Sequence, residues 1–198
     1  MFSKQIFISI ASVISVVAYI PYIVDIFKNK TKPHVISWFI WSAMSGIAFF
    51  SQIVGGAGIG SFLLGFTTVM CFLIALLSIK KGTKDVEFVD WLTAAGSVSA
   101  LVFWVLTKTP YLSVMIITVS DFLATFPTIR KTYKNPYQET SSFYLLNTAK
   151  YFFGVMALEK YSLITTLYPA YLLVINGVVF ILIYLRKLQL KSQGLNEI

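Results

Sequence analysis

The chain has 198 residues, 57% of them hydrophobic and 12% charged, with a formal net charge of +8. A mean hydropathy of +0.78 exceeds what a soluble domain of this length can hide in a single core, so soluble fold classes are set aside. One cysteine, Cys71, and one histidine, His34, exclude a disulfide within the chain and are poor material for a metal site or a thiol catalyst, and no cofactor is implied.

A helix that crosses a bilayer needs about 20 mainly apolar residues. Seven runs meet that need, at roughly 5–27, 35–54, 60–79, 88–107, 110–130, 141–158 and 162–185. The first run is too long, and too closely followed by the second, to read as a cleaved signal. It carries Ser9, Ser12, Ser15, Tyr19 and Tyr22 at helical spacing, with Pro21 near its end. A basic loop with Lys28, Lys30, Lys32 and His34 leads to Trp38, Trp41 and Ser45 in the second run. Asn29-Lys30-Thr31 is formally a glycosylation sequon, but the topology derived below puts it in the cytoplasm. The glycine-rich stretch 55–60 follows no strand, so it reads as a tight turn between spans, not as a dinucleotide loop.

The fourth run begins beside Glu87 and Asp90, expected in water at the positive end of the helix dipole. Trp38, Trp91 and Trp104 are expected as interface anchors, whereas Trp41, one turn deeper, could stack on a solute. The fifth run carries Thr118, Asp121, Thr125, Thr128 and Thr132 at three- and four-residue spacing, with Pro127 among them. Asn147 and Lys150 lie in the sixth run, and Tyr161, Thr165, Tyr168, Pro169 and Asn176 in or beside the seventh. Residues 188–198 are expected to form a short disordered tail.

With seven spans the connecting segments alternate sides. Lys28, Lys30, Lys32, Lys80, Lys81, Lys84, Arg130, Lys131, Lys134, Arg186, Lys187 and Lys191 fall on one side; Lys4, Lys108 and Lys160 fall on the other. The positive-inside rule then places the N-terminus outside and the C-terminus in the cytoplasm of a cell (plasma or inner) membrane. The basic excess is an orientation signal and implies no nucleic-acid partner.

Residues 20–30, IPYIVDIFKNK, match residues 126–136, FPTIRKTYKNP, at a separation of about 106 positions. Pro21 falls opposite Pro127, Lys28 opposite Lys134 and Asn29 opposite Asn135. Ser37-Trp38-Phe39 and Ser142-Phe143-Tyr144 follow in the two copies. A three-helix unit starts and ends on opposite sides, so two copies with equally basic loops need an inverting helix between them. The predicted fold is therefore an all-α membrane fold of seven transmembrane helices. Two parallel three-helix repeats (1–82 and 109–187) are joined by an inverting linker helix (83–108), with a tail over 188–198.

The paired prolines, the basic loops and the 3+1+3 layout resemble the PQ-loop/MtN3 clan, which includes the SWEET sugar transporters and cystinosin-like carriers. Phe143-Tyr144-Leu145-Leu146-Asn147, running on to Gly154, is similar to the SWEET sixth helix, whose asparagine faces the substrate path. Tyr22 and Thr128 stand where the clan has glutamine after each proline, and the tryptophan expected after Asn147 is absent. The resemblance implies that Pro21 and Pro127 act as hinges for alternating access.

Polar residues in hydrocarbon are costly and usually mark an inward face. Asp121 lies about 13 Å from the cytoplasmic end of its helix and Lys150 about 12 Å into the next. Both sit near the midplane, and mutual neutralisation is expected if their faces meet. The first half has Ser15 opposite Asp121 and Ser45 near Lys150, so the pair breaks the pseudo-symmetry. The alternatives are a structural ion pair, or an Asp121 that binds a proton or a charged solute group. The expected solute-binding set is Asn147, Asn176, Asp121, Lys150, Thr125, Tyr168 and Trp41. For any single Ser or Thr, close helix packing or a bond to its own backbone is the competing reading.

The expected function is transport of a small polar solute by alternating access, with proton coupling open. The alternative is a non-transporting receptor or membrane-organising protein on the same scaffold. No His/Cys/carboxylate constellation suggests an enzyme. The implied partners are a small-molecule solute and the lipid bilayer; a homo-oligomer stays open.

Overall fold

Hydrocarbon offers no hydrogen bonds, so an apolar run must satisfy its backbone within the segment, and here each run does so as a helix. The computed structural model describes residues 2–83, 85–107 and 109–193. Among these are seven α-helices: α1 (Phe2–Phe27), α2 (Val35–Val54), α3 (Phe62–Lys81), α4 (Phe88–Thr107), α5 (Pro110–Lys134), α6 (Ser141–Met156) and α7 (Leu163–Ser192). Short 3-10 turns at Gly58–Ser61 and Pro136–Gln138 precede α3 and α6. Lys84 and Lys108, two of the charges used for orientation, lie outside the described residues, as does 194–198.

Five of the helices, α1, α2, α3, α5 and α7, are long and apolar enough to cross a membrane. The remaining two expected spans are also helical, α6 over only 16 residues, or about 24 Å. Residues 188–192 of the expected tail are helical instead, because α7 continues to Ser192 through Arg186 and Lys187.

The surface inverts the soluble pattern. Val13, Val16 and Ile20 of α1, Phe50 and Ile53 of α2, and Val174, Val178 and Ile181 of α7 point outward, while Ser15, Ser37, Ser45, Thr67, Asp121, Asn147 and Lys150 are buried. Such a distribution is stable where lipid, not water, covers the outside. The chain is an all-helical integral membrane protein.

Packing follows a definite order. α3 lies against both α1 and α2, and α7 lies against both α5 and α6. α1 packs on α6, α2 packs on α5, and α4 rests mainly on α5. Two buried apolar layers result. One contains Tyr22, Ile26, Trp38, Ile74, Phe143 and Ile183, towards the 28–34 loop. The other contains Met44, Leu64, Val114, Ile117, Tyr168 and Leu172, towards the opposite end. In the turn before α3, Gly58 has φ 61° and sits against the Glu159 carboxylate. The left-handed backbone there favours glycine, and a side chain would also push the Glu159 carboxylate aside.

Candidate functional site

Between the two apolar layers lies a cavity with about 60 Å³ open to water centres, room for roughly four waters. Its wall comes from α1, α2, α3, α5, α6 and α7; no described residue of α4 borders it. The structure brings Trp41, Asp121, Thr125, Asn147, Tyr168 and Asn176 to this wall. Lys150 stands behind it, its ammonium 3.1 Å from Thr67 Oγ1 and over the rings of Tyr151 (4.1 Å) and Tyr19 (5.6 Å). Those three partners themselves face the cavity.

The expected neutralisation of Asp121 by Lys150 does not occur: no ion pair within 4 Å joins them. Asp121 instead accepts from Tyr168 Oη at 2.8 Å and Thr125 Oγ1 at 3.4 Å. The reason is topological. Asp121 on α5 faces α7, where Tyr168 lies, whereas Lys150 on α6 faces α1 and α3, where Tyr19 and Thr67 lie, so the two charged faces do not meet.

Several hydroxyls take the bland role. Thr118 bonds Val114 O and Thr125 bonds Asp121 O, each four residues back on the same helix. Ser9 does the same to Gln5 on an exposed face. Ser15 Oγ and Thr132 Oγ1 are buried with no hydrogen-bond partner among the described residues. Tyr161 precedes α7 and is exposed, away from the cavity.

Towards the basic loops the cavity is closed in two tiers. The first is aromatic: Trp38 is only 2% exposed, with its ring 5.1 Å from Tyr22, 5.1 Å from Trp41 and 5.7 Å from Phe143. Trp38 is therefore not an interface anchor, because α6 covers the face that would have met the headgroups. Trp91, 62% exposed, is free to take that position; the side chain of Trp104 lies outside the described residues. The second tier is ionic. Lys131 and Glu139 form a fully buried ion pair, Lys131 also donates to Lys32 O at 2.6 Å, and Tyr144 donates to Glu139 at 3.2 Å. Thr140 donates to Asp25 at 2.8 Å and meets Thr31 Oγ1 at 2.5 Å. The bonds from Lys131 to Lys32 O and from Thr140 to Asp25 and Thr31 join the 22–32 region to the 131–144 region.

Asp90 is also inside, not in water. Its side chain is fully buried, 2.6 Å from Arg130 and 3.5 Å from His34 Nε2. Arg130 further contacts Asp85 and Glu87, tying the start of α4 to the end of α5. Burial pushes the His34 imidazole below its ordinary 6.5, against the opposing pull of Asp90. Sequence reading missed this closure because Lys131, Glu139 and His34 resemble ordinary loop polarity. The only signal was that acidic residues, scarce in this chain, recur in segments that the repeat brings together.

At the opposite end Gln52 donates to Thr165 O at 2.9 Å. Lys4 donates to Leu158 O at 2.6 Å and Glu159 O at 3.1 Å. No protein-family model, curated protein or solved structure matches the chain.

Proposed function

We propose that the chain is a multi-pass transporter that moves a small polar solute by alternating access, its two halves rocking about the central cavity. The observation that carries this reading is the cavity wall: α1–α3 and α5–α7 all contribute, and no described residue of α4 does. That division is what two three-helix repeats joined by a linker require. The helix contacts agree with it, since exchanging α1 for α5, α2 for α6 and α3 for α7 carries α2–α3 onto α6–α7, α1–α3 onto α5–α7 and α1–α6 onto α5–α2. Seven spans follow if α4 and α6 cross beside their neighbours, α6 being shielded from lipid mismatch by α1 and α7. The clan resemblance points the same way, with Pro21 and Pro127 as hinges.

Both ends of the cavity are closed by contacts between the proposed halves, so passage requires one closure to open while the other holds. The ionic tier at Lys131–Glu139 is the natural inner closure, given the basic loops around it. Purified protein in liposomes, tested with labelled sugars, amino acids, nucleosides and vitamins, should take up at least one in a saturable manner. Saturable binding without any uptake would instead establish the receptor alternative.

A further inference from the structure

The hydrogen-bonding groups around the cavity are unevenly used. Asn147 and Asn176 each set the side-chain nitrogen on a backbone carbonyl of the preceding turn, Phe143 at 2.8 Å and Leu172 at 2.7 Å. A carbonyl only accepts, so nitrogen must be the atom facing it and the amide oxygen the atom turned away. Neither amide oxygen meets a donor among the described residues. Four hydroxyl donors on the same wall already have acceptors: Tyr168 gives to Asp121, Thr125 to Asp121 O, Tyr144 to Glu139 and Thr67 to Leu63 O. Open to a guest are two amide oxygens and a carboxylate whose partners among the described residues are neutral hydroxyls, beside the Ser45 hydroxyl, which can donate or accept.

The wall is also rich in rings, and two of them show what they hold. Tyr19 and Tyr151 already carry the Lys150 ammonium, through contacts made from behind the cavity. Lys150 therefore does not meet the need of Asp121 for positive charge.

We infer, on the transporter reading of this cavity, that its solute carries a protonated primary amine. The N–H groups bind Asp121 and the Asn147 and Asn176 oxygens, and the charge lies against aromatic faces. An ammonium supplies three donors together with the missing charge; a neutral polyol supplies hydroxyls, which donate and accept, without the charge.

The test compares ethanolamine with ethylene glycol, which replaces the ammonium by a hydroxyl at nearly constant size. Binding to the intact chain in lipid nanodiscs is read from tryptophan fluorescence, since Trp38 and Trp41 border the cavity. Ethanolamine should bind about tenfold tighter or more, as expected for a charge-assisted hydrogen bond, and Asp121→Asn should remove the preference. Equal binding of the two probes, or a preference unchanged in Asp121→Asn, overturns the inference. Should that variant fail to fold, Asn176→Leu removes one acceptor and should weaken ethanolamine selectively; no selective loss again overturns it. If a labelled sugar enters liposomes while ethanolamine neither binds nor competes, the amine inference falls and transport stands. If ethanolamine binds as expected but no solute moves, transport falls and the amine site stands.

Discussion

Lys131 and Glu139 bury opposite charges together beneath the basic loops, where each has only the other and a few carbonyls and hydroxyls for company. Removing one partner strands the second in a dry site. Lys131→Met is expected to destabilise the protein by about 3–5 kcal/mol, whereas Lys131→Met with Glu139→Leu should recover most of that loss. Thermal melts of the two variants in detergent check the difference. His34 makes a separate prediction, in pH. Its folded-state affinity for a proton is below that of the unfolded chain, so the unfolded state binds more protons at mildly acid pH. Stability should be full above about pH 6.5 and decline as pH falls below it. His34→Gln should flatten that slope in melts taken between pH 7 and 5. Asp121 and Lys150 were legible in the sequence as buried charges at matching depth. Their separation was not, because depth along a helix says nothing about rotation around it.

Prolines give the helices their local weak points. Each lacks an N–H and frees the carbonyl four residues earlier. In α7, Pro169 frees Thr165 O, and Gln52 of α2 caps that same atom. Gln52→Leu should cost about 1–3 kcal/mol by leaving the buried carbonyl unpaired. In a Pro169→Ala background the restored N–H can bond Thr165 O, so the same change should cost much less; a double-mutant cycle on unfolding measures the coupling. α1 and α5 run through Pro21 and Pro127 as continuous helices. Beside Pro127, Ser37 of α2 donates to Ala124 O at 2.7 Å, so bending there would pull on the opposite group. Pro127→Ala should slow solute uptake more than it weakens binding, seen as a lower maximal rate at near-constant half-saturation. The matched asparagines do not behave alike: Asn29 turns left-handed at φ 57° while Asn135 has φ −134° and ψ 70°. Repeat identity at a loop position therefore did not dictate its backbone, because the flanking residues differ.

Taken across the molecule, the inner closure includes contacts between segments about a hundred positions apart, and it offers a direct test of alternating access. Thr31 and Thr140 hydroxyls meet at 2.5 Å. The only native cysteine, Cys71, is buried. Thr31→Cys with Thr140→Cys should form a cross-link that stops uptake in liposomes, and reductant should restore it. Uptake that persists in the fully oxidised protein would show that this closure does not open during transport. The helical membrane character, the run boundaries to within a few residues except at the end of α7, and the polar stripe on α5 could all be read from the chain, because hydrophobic length and 3.6-residue spacing are local properties. Which side chains share a cavity, which charges find partners, and that Trp38 and Asp90 are inside were settled only by packing. Those outcomes depend on which helix sits between which others, and a one-dimensional pattern carries no record of that order.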